Sequence, residues 1–242
     1  MDNTDRTPLT SENASTPVES IGWRYLLGEL CTSVATGTYE QGLAVANAAV
    51  RAAGDDSAGH LRVDLRPDRV ELTVQTREIA AVTARDVALA QAITTALGAA
   101  GFETAGATSQ ELARPVQSLE IGIDALDIPA IRPFWKAVLA YGPEAGDDRP
   151  DSALVDPTGQ LPAVWFQQMD APRPQRNRIH LDITVAHDEA QARVTAALAA
   201  GGTLVNDSFA RSFWVLADAE GNEVCVCTWL DRDGREADNY AE

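Results

Sequence analysis

An internal repeat constrains this chain more than any other feature. Residues 118–142 (SLEIGIDALDIPAIRPFWKAVLAYG) and 178–202 (RIHLDITVAHDEAQARVTAALAAGG) share length and layout at an offset of sixty. Each reads as a short alternating strand, an amphipathic helix and a glycine stop. Each is followed by a matched Asp-x-x-Gly, Asp156-Pro157-Thr158-Gly159 and Asp218-Ala219-Glu220-Gly221, which reads as a hairpin turn. Two copies of one strand–helix–hairpin unit predict a pseudo-symmetric sheet closing around a central cleft.

Charge and length narrow the partners. The 242 residues carry 19 basic and 36 acidic side chains, a formal charge of −17, which argues against nucleic-acid backbones and anionic membranes. No apolar run approaches the roughly 18 residues of a membrane span. The start of the chain (MDNTDRTPLTSENASTPVES) lacks a basic-then-apolar signal pattern, so a cytoplasmic protein with a disordered leader over 1–18 is expected. The three cysteines, Cys31, Cys225 and Cys227, fit a reducing compartment without a disulfide framework.

The organisation expected after that leader is a first domain over 19–102, a linker over 103–117 and the repeat domain over 118–230. An acidic tail then covers 231–242. In the first domain Tyr39–Ala53 reads as a helix with Leu43, Ala46 and Val50 on one face and Gly54 as its stop. Leu61, Val63 and Leu65 alternate with polar residues, Pro67 and Asp68 turn the chain, and Val70, Leu72 and Val74 alternate again. A second helix runs from Thr83 to about Ala99, burying Val87, Ala90, Ile93 and Leu97, and Gly101 closes it. The class is α+β, with helices on one face of an antiparallel sheet.

Several residues within about 20–100 make this domain resemble the pterin-4a-carbinolamine dehydratases: the opening Gly22-Trp23, and the ungapped stretch from Gly59 to Asp86 (GHLRVDLRPDRVELTVQTREIAAVTARD). That family carries a His-His-Pro where the first of these strands begins. A third His follows a Thr at the end of the next strand, and an Asp opens the following helix within a Leu-Thr-x-x-Asp pattern. Here the positions read Gly59, His60, Leu61 and Arg77, while Thr76, Thr83 and Asp86 remain. The resemblance implies catalytic roles for His60, Arg77 and Asp86. Expelling hydroxide from a carbinolamine needs a proton for the leaving oxygen and a base for a second proton, work suited to imidazole. Arg77 cannot shuttle a proton at neutral pH but can hold an anionic substrate. Thr83-x-x-Asp86 is also a helix-capping pattern, and capping alone accounts for Asp86.

In the repeat, Leu119, Ile121 and Ile123 match Ile179, Leu181 and Ile183, an apolar face that must cover the helices. The opposite face carries Glu120, Gly122 and Asp124 in one copy and His180, Asp182 and Thr184 in the other. Ala163, Trp165 and Gln167 share the strand parity of Cys225, Cys227 and Trp229. The expected cleft is therefore lined by Glu120, Trp165, Gln167, His180, Cys225 and Cys227.

This half is similar to the glyoxalase-like branch of the vicinal oxygen chelate superfamily. The matching stretches are Phe134-Trp135, Asp156-Pro157-x-Gly159, Val164-Trp165-Phe166-Gln167, Asn177-Arg178-Ile179-His180-Leu181-Asp182 and Asp218-x-x-Gly221-Asn222-Glu223. The resemblance implies a paired βαβββ domain. It also implies, in metal-using members, one ligand from each of four strands, for which Glu120, Gln167, His180 and Cys225 are the equivalents. One carboxylate, one amide, one imidazole and one thiol fit no common metal set. A divalent metal is therefore disfavoured, no cofactor is expected, and the cleft is expected to take an organic ligand with Trp165 stacking on it.

Three readings follow: a lyase of dehydratase type acting on a small cyclic metabolite, a non-catalytic protein sequestering a drug or metabolite, and a dimerising scaffold that forms a homodimer.

Overall fold

The computed structural model describes residues 6–105, 115–172 and 179–231. The chain divides into two compact units, Met1–Ser118 and Leu119–Glu242.

The first unit begins earlier than its composition suggests. Residues 6–18 are not a disordered leader. The Leu9 N–H donates to the Val82 carbonyl, the short helix α1 (Ser11–Ser15) follows Thr10 as its cap, and Ala14 and Val18 are fully buried. Three spaced apolar residues suffice to dock this polar segment on the core beside Trp23. Strands β1 (Arg24–Leu26) and β2 (Glu29–Ala35) lead into α2 (Tyr39–Ala53), capped by Thr38 and ended by Gly54. A single turn α3 (Ser57–His60) precedes β3 (Leu61–Leu65) and β4 (Arg69–Val74), and α4 (Ala84–Ala99) completes the domain.

The four strands form one sheet in the order β1-β2-β4-β3. Leu30, Thr32 and Val34 stand opposite Val74, Leu72 and Val70, so these facing residues build one buried layer. Val45 and Ala49 of α2 and Leu89, Ile93 and Leu97 of α4 pack on it.

The face of α2 that is buried differs from the one expected. Gly42, Val45, Ala49 and Ala53 turn inward, while Leu43 and Val50 are exposed. The helix is apolar on both sides, and Gly42 decides the outcome: a side chain there would collide with Leu65, so this is the face that approaches the sheet closely.

The first domain also ends later than expected. Ala105 pairs with Ser33 of β2, and Thr104 donates to the Ile21 carbonyl, so 103–105 belong to the domain rather than to a linker. Gly22, at φ +85°, lies against the Thr104 carbonyl where no other residue fits. The remaining linker positions 106–114 lie outside the described residues, as do 1–5, 173–178 and the tail beyond Asp231.

The second unit is a pair of βαβββ halves. The first half comprises β5 (Glu120–Ala125), α5 (Ile128–Leu139), β6 (Gly142–Pro143), β7 (Leu154–Val155) and β8 (Ala163–Gln168). The second comprises β9 (Leu181–Thr184), α6 (Ala190–Ala199), β10 (Thr203–Asn206), β11 (Phe213–Ala217) and β12 (Glu223–Cys227). Strand orders match, β5-β8-β7-β6 and β9-β12-β11-β10, each with a parallel first pair. Both Asp-x-x-Gly turns form in the same way. Asp156 accepts from the Thr158 and Gln160 N–H groups, and Asp218 from those of Glu220 and Asn222.

One core serves both halves. Ile123, Phe134, Trp135 and Val138 share it with Val194, Leu216, Val224 and Val226. The Trp135 indole donates to Asp218 at 2.9 Å, and Glu220 accepts from the Leu126 and Asp127 N–H groups at the start of α5. Leu119 and Ile179, expected on the inward face, precede their strands and are exposed at 68% and 79%. Among the described residues no helix is long and apolar enough to cross a membrane.

Candidate functional site

Two polar constellations form, one in each unit. In the first, the chain leaves α3 at His60 and enters β3, while Thr76 follows the end of β4 at Val74 and α4 starts after Thr83. Asp86, in the first turn of α4, joins these ends. Its Oδ2 accepts from the Thr83 N–H (2.8 Å) and hydroxyl (2.9 Å), and from the Thr76 N–H (3.1 Å) and hydroxyl (2.7 Å). Its Oδ1 lies 2.7 Å from His60 Nδ1. Asp86 is fully buried, and the His60 side chain is 12% exposed.

Capping alone therefore does not account for Asp86. The capping box with Thr83 is complete, and it uses one carboxylate oxygen. The other receives the imidazole. With the Nδ1 proton directed at Asp86, the neutral ring keeps its lone pair on Nε2, the tautomer suited to taking up a proton there.

Arg77 and Asp56 flank this pair. The Arg77 guanidinium donates to the carbonyl of Leu61, the residue after His60, at 3.0 Å, which brings a permanent cation to the same strand end. Asp56 is ion-paired with Arg85, whose guanidinium holds that carboxyl below the usual carboxylate range against the opposing effect of burial.

In the second unit, the polar faces of the strands turn away from the shared core. Glu120, Gly122 and Asp124 are exposed along β5, and Asp182 and Thr184 along β9. Strand register departs from the expected ring in one respect. Gly122 stands opposite Trp165 and Asp124 opposite Gln167. Asp182 stands opposite Cys225 and Thr184 opposite Cys227. The counterpart of Cys225 is thus Trp165, and Gln167 corresponds to Cys227.

Of the expected set of Glu120, Gln167, His180 and Cys225, His180 and Cys225 come together, while the Gln167 amide donates to the Gln168 carbonyl at 3.3 Å. A different neighbour completes that group. His180, Asp182 and Cys225 offer a nitrogen, an oxygen and a sulfur all within 4.8 Å of one another. Burial, followed by the Asp182 carboxylate, pushes the Cys225 thiol up to about 12. Sequence parity had placed Asp182 on this face. Its pairing with Cys225 spans more than forty residues and is visible only once β9 and β12 lie side by side.

Trp165 lies flat enough on Gly122 that a Cβ there would meet its ring at 3.1 Å, and the indole remains 40% exposed. Trp229, past the end of β12, is 60% exposed and donates to His187 Nδ1 at 3.3 Å. In the first half, burial raises the Glu144 carboxyl, with Asp147 and Glu120 adding like charge.

The class defined by these elements is an α+β chain pairing a four-stranded antiparallel sheet and its helices with a paired βαβββ domain. Residues 7–96 match the family model described as Pterin 4 alpha carbinolamine dehydratase, and residues 120–227 match that described as Glyoxalase-like domain. By these matches the chain is similar to the pterin carbinolamine dehydratases over residues 7–96 and to glyoxalase-like domains over residues 120–227.

No curated protein matches the chain. Among solved structures it is similar to a glyoxalase/bleomycin resistance protein/dioxygenase family enzyme from Burkholderia phytofirmans PsJN, at 19% identity over 45% of this chain and 95% of that one, with a TM-score of 0.38. A glyoxalase/bleomycin resistance protein from Albidiferax ferrireducens T118 is similar at 19% identity over 46% and 97%, with a TM-score of 0.36. The fosfomycin resistance protein FosX from Mesorhizobium loti is similar at 9% identity over 46% and 91%, also with a TM-score of 0.36.

Proposed function

We propose that the first domain is a lyase of dehydratase type, acting on a small cyclic carbinolamine-like metabolite through a single proton shuttle at His60. The observation that carries this reading is the 2.7 Å contact between His60 Nδ1 and the buried Asp86 carboxylate. A ring held on one nitrogen presents the other in a fixed direction, which general acid–base transfer requires. In such a reaction His60 Nε2 first takes the proton of the substrate's ring N–H and then gives it to the departing hydroxyl, which leaves as water as the carbon–nitrogen double bond forms. Arg77, tied to the Leu61 carbonyl, anchors an anionic group of the substrate and takes no part in proton transfer.

Two imidazoles of the family pattern are absent, at Gly59 and Arg77. Each general acid or base typically contributes ~10²–10⁴-fold, so dehydration of the standard pterin carbinolamine is expected to be absent or severely reduced. A direct dehydration assay tests this. Residual activity should vanish in His60→Ala, and turnover that survives that change refutes the reading.

A second role belongs to the glyoxalase-like domain, which we infer to hold a small organic ligand. The exposed Trp165 ring, seated on Gly122, supports this as a stacking wall for a planar group. The scaffold reading draws support from Tyr39, Leu43 and Val50, an exposed apolar stripe on α2 suited to a homodimer. Sedimentation of the full chain, with and without Leu43→Glu, decides it.

A further inference from the structure

The charges around His60 are matched with one exception. Asp86 is held by His60, Thr76 and Thr83, Asp56 by Arg85, and Glu78 by Arg6 at 2.9 Å. Arg77 stands on the same segment as Glu78 and is exposed, yet no carboxylate among the described residues pairs with it. Its one hydrogen bond runs to the Leu61 carbonyl. That bond also fixes where the cation lies. Leu61 follows His60 in the chain, and Thr76, the residue before Arg77, has its hydroxyl 3.4 Å from His60 Nδ1. Guanidinium and imidazole are thus tied together through two adjacent segments. Gly59, on the other side of His60, adds room. A Cβ built there meets no atom within 4 Å, and its φ is not positive, so the backbone does not require a glycine. The turn that carries the imidazole is open on that side.

We propose that this site takes a cyclic carbinolamine bearing a single carboxylate, with the carboxylate on Arg77 and part of the ring beside Gly59. The inference rests on the dehydratase reading and adds the substrate class to it. A planar guanidinium matches a carboxylate through two parallel N–H···O bonds, and the Leu61 carbonyl occupies only part of the fork. Charge balance selects the monoanion. A phosphate carries about −1.5 to −2 at neutral pH and would set that charge against one cation, close to Asp56, Glu78 and Asp86. A neutral ring would forgo the charge-assisted bonds altogether. The carboxylate anchors and is chemically unchanged; the bonds that break are the ring N–H and the carbon–oxygen bond of the leaving hydroxyl.

Unreactive rings separate binding from turnover. Benzoate, benzamide and phenylphosphonate differ only in the group offered to Arg77. Each is titrated at pH 8 into the full-length ¹⁵N-labelled protein and read at the His60 ring and Arg77 Nε signals, so a ligand held by the other domain does not count. Benzoate should shift both signals saturably, and the other two should bind at least about tenfold more weakly. Arg77→Ala, read at His60, should weaken benzoate at least about tenfold, and Gly59→Leu should do the same by filling the open side. Arg6→Ala, which removes a paired cation from the same neighbourhood, should change benzoate affinity by less than about twofold. His60→Ala should still bind benzoate at Arg77 while dehydration is lost. The proposal is overturned if benzoate shifts neither signal, if benzamide or phenylphosphonate binds as tightly, or if Arg77→Ala binds benzoate unchanged. A protein that dehydrates a neutral carbinolamine through His60 without responding to benzoate keeps the dehydratase reading and loses this one.

Discussion

Replacing Asp86 with Asn separates the two roles of that residue. The amide can keep a carbonyl oxygen toward Thr76 and Thr83, whose four donors all point at Oδ2. Turning the NH₂ toward them instead would set donors against donors in a fully buried site, so the first orientation wins. The NH₂ then faces His60 Nδ1, which must become an acceptor, and the ring proton moves to Nε2. Two consequences are measurable. Four hydrogen bonds lose their charge assistance, which costs about 1–3 kcal/mol of local stability and speeds amide exchange in α4 roughly 5- to 150-fold. The ¹⁵N chemical shifts of His60 should report the opposite tautomer. Any dehydration that depends on Nε2 as the base should fall ~10²–10⁴-fold. The contrast is His60→Ala, which removes the same activity and leaves the α4 cap intact. An Asp86→Asn protein with unchanged α4 exchange and an unchanged His60 tautomer would refute this account.

Three further outcomes are expected. Gly202→Ala pushes a methyl group into the Phe134 ring and to 2.9 Å from the Ala197 carbonyl, so thermal unfolding of the glyoxalase-like domain should show a loss of about 1–3 kcal/mol. Gly122→Val should lift the Trp165 indole off the strand and change its fluorescence while leaving the far-ultraviolet circular dichroism intact; an unchanged spectrum would show that the ring does not rest there. Burial, with Glu29 adding to it, raises the Cys31 thiol from 9.0 to about 12, so alkylation in the native state at pH 8 should be far slower than in urea. The folded chain keeps that proton when the unfolded chain has released it. Cys31 thus favours the fold fully below pH 9, and that contribution falls away between pH 9 and about 12, measurable as a declining denaturation midpoint.

Local rules carried far in this chain. Helix α2 spans Tyr39–Ala53 and α4 follows Thr83, because a threonine cap and a glycine or turn bound each apolar run. The repeat gave the strand–helix–strand order of both halves because each copy writes its own period. What escaped local reading was decided by partners distant in sequence. The segment before Glu19 looks too polar to fold, yet Ala14 and Val18 find a core built by later residues. Leu43 and Val50 satisfy helical periodicity as well as Val45 and Ala49 do, and only the close approach at Gly42 chooses between the two faces. At the candidate sites the residue types were legible and the pairings were not. His60 meets Asp86 across 26 positions, and Asp182 meets Cys225 across a parallel strand pair.

The double bonding of Asp86 also bears on what the survival of a motif can say about this lineage. Thr76, Thr83 and Asp86 are tied to one another by the folding of β4 into α4, with or without a substrate. A descendant that had abandoned catalysis would still be under pressure to keep all three, since losing any one loosens the helix start. Their presence is therefore uninformative about chemistry. His60 is different: it ends a single-turn helix, and α4 is capped without it. Of the retained positions it is the one the helix start does not need, so under the proposed function His60→Ala separates the proton shuttle from the architecture.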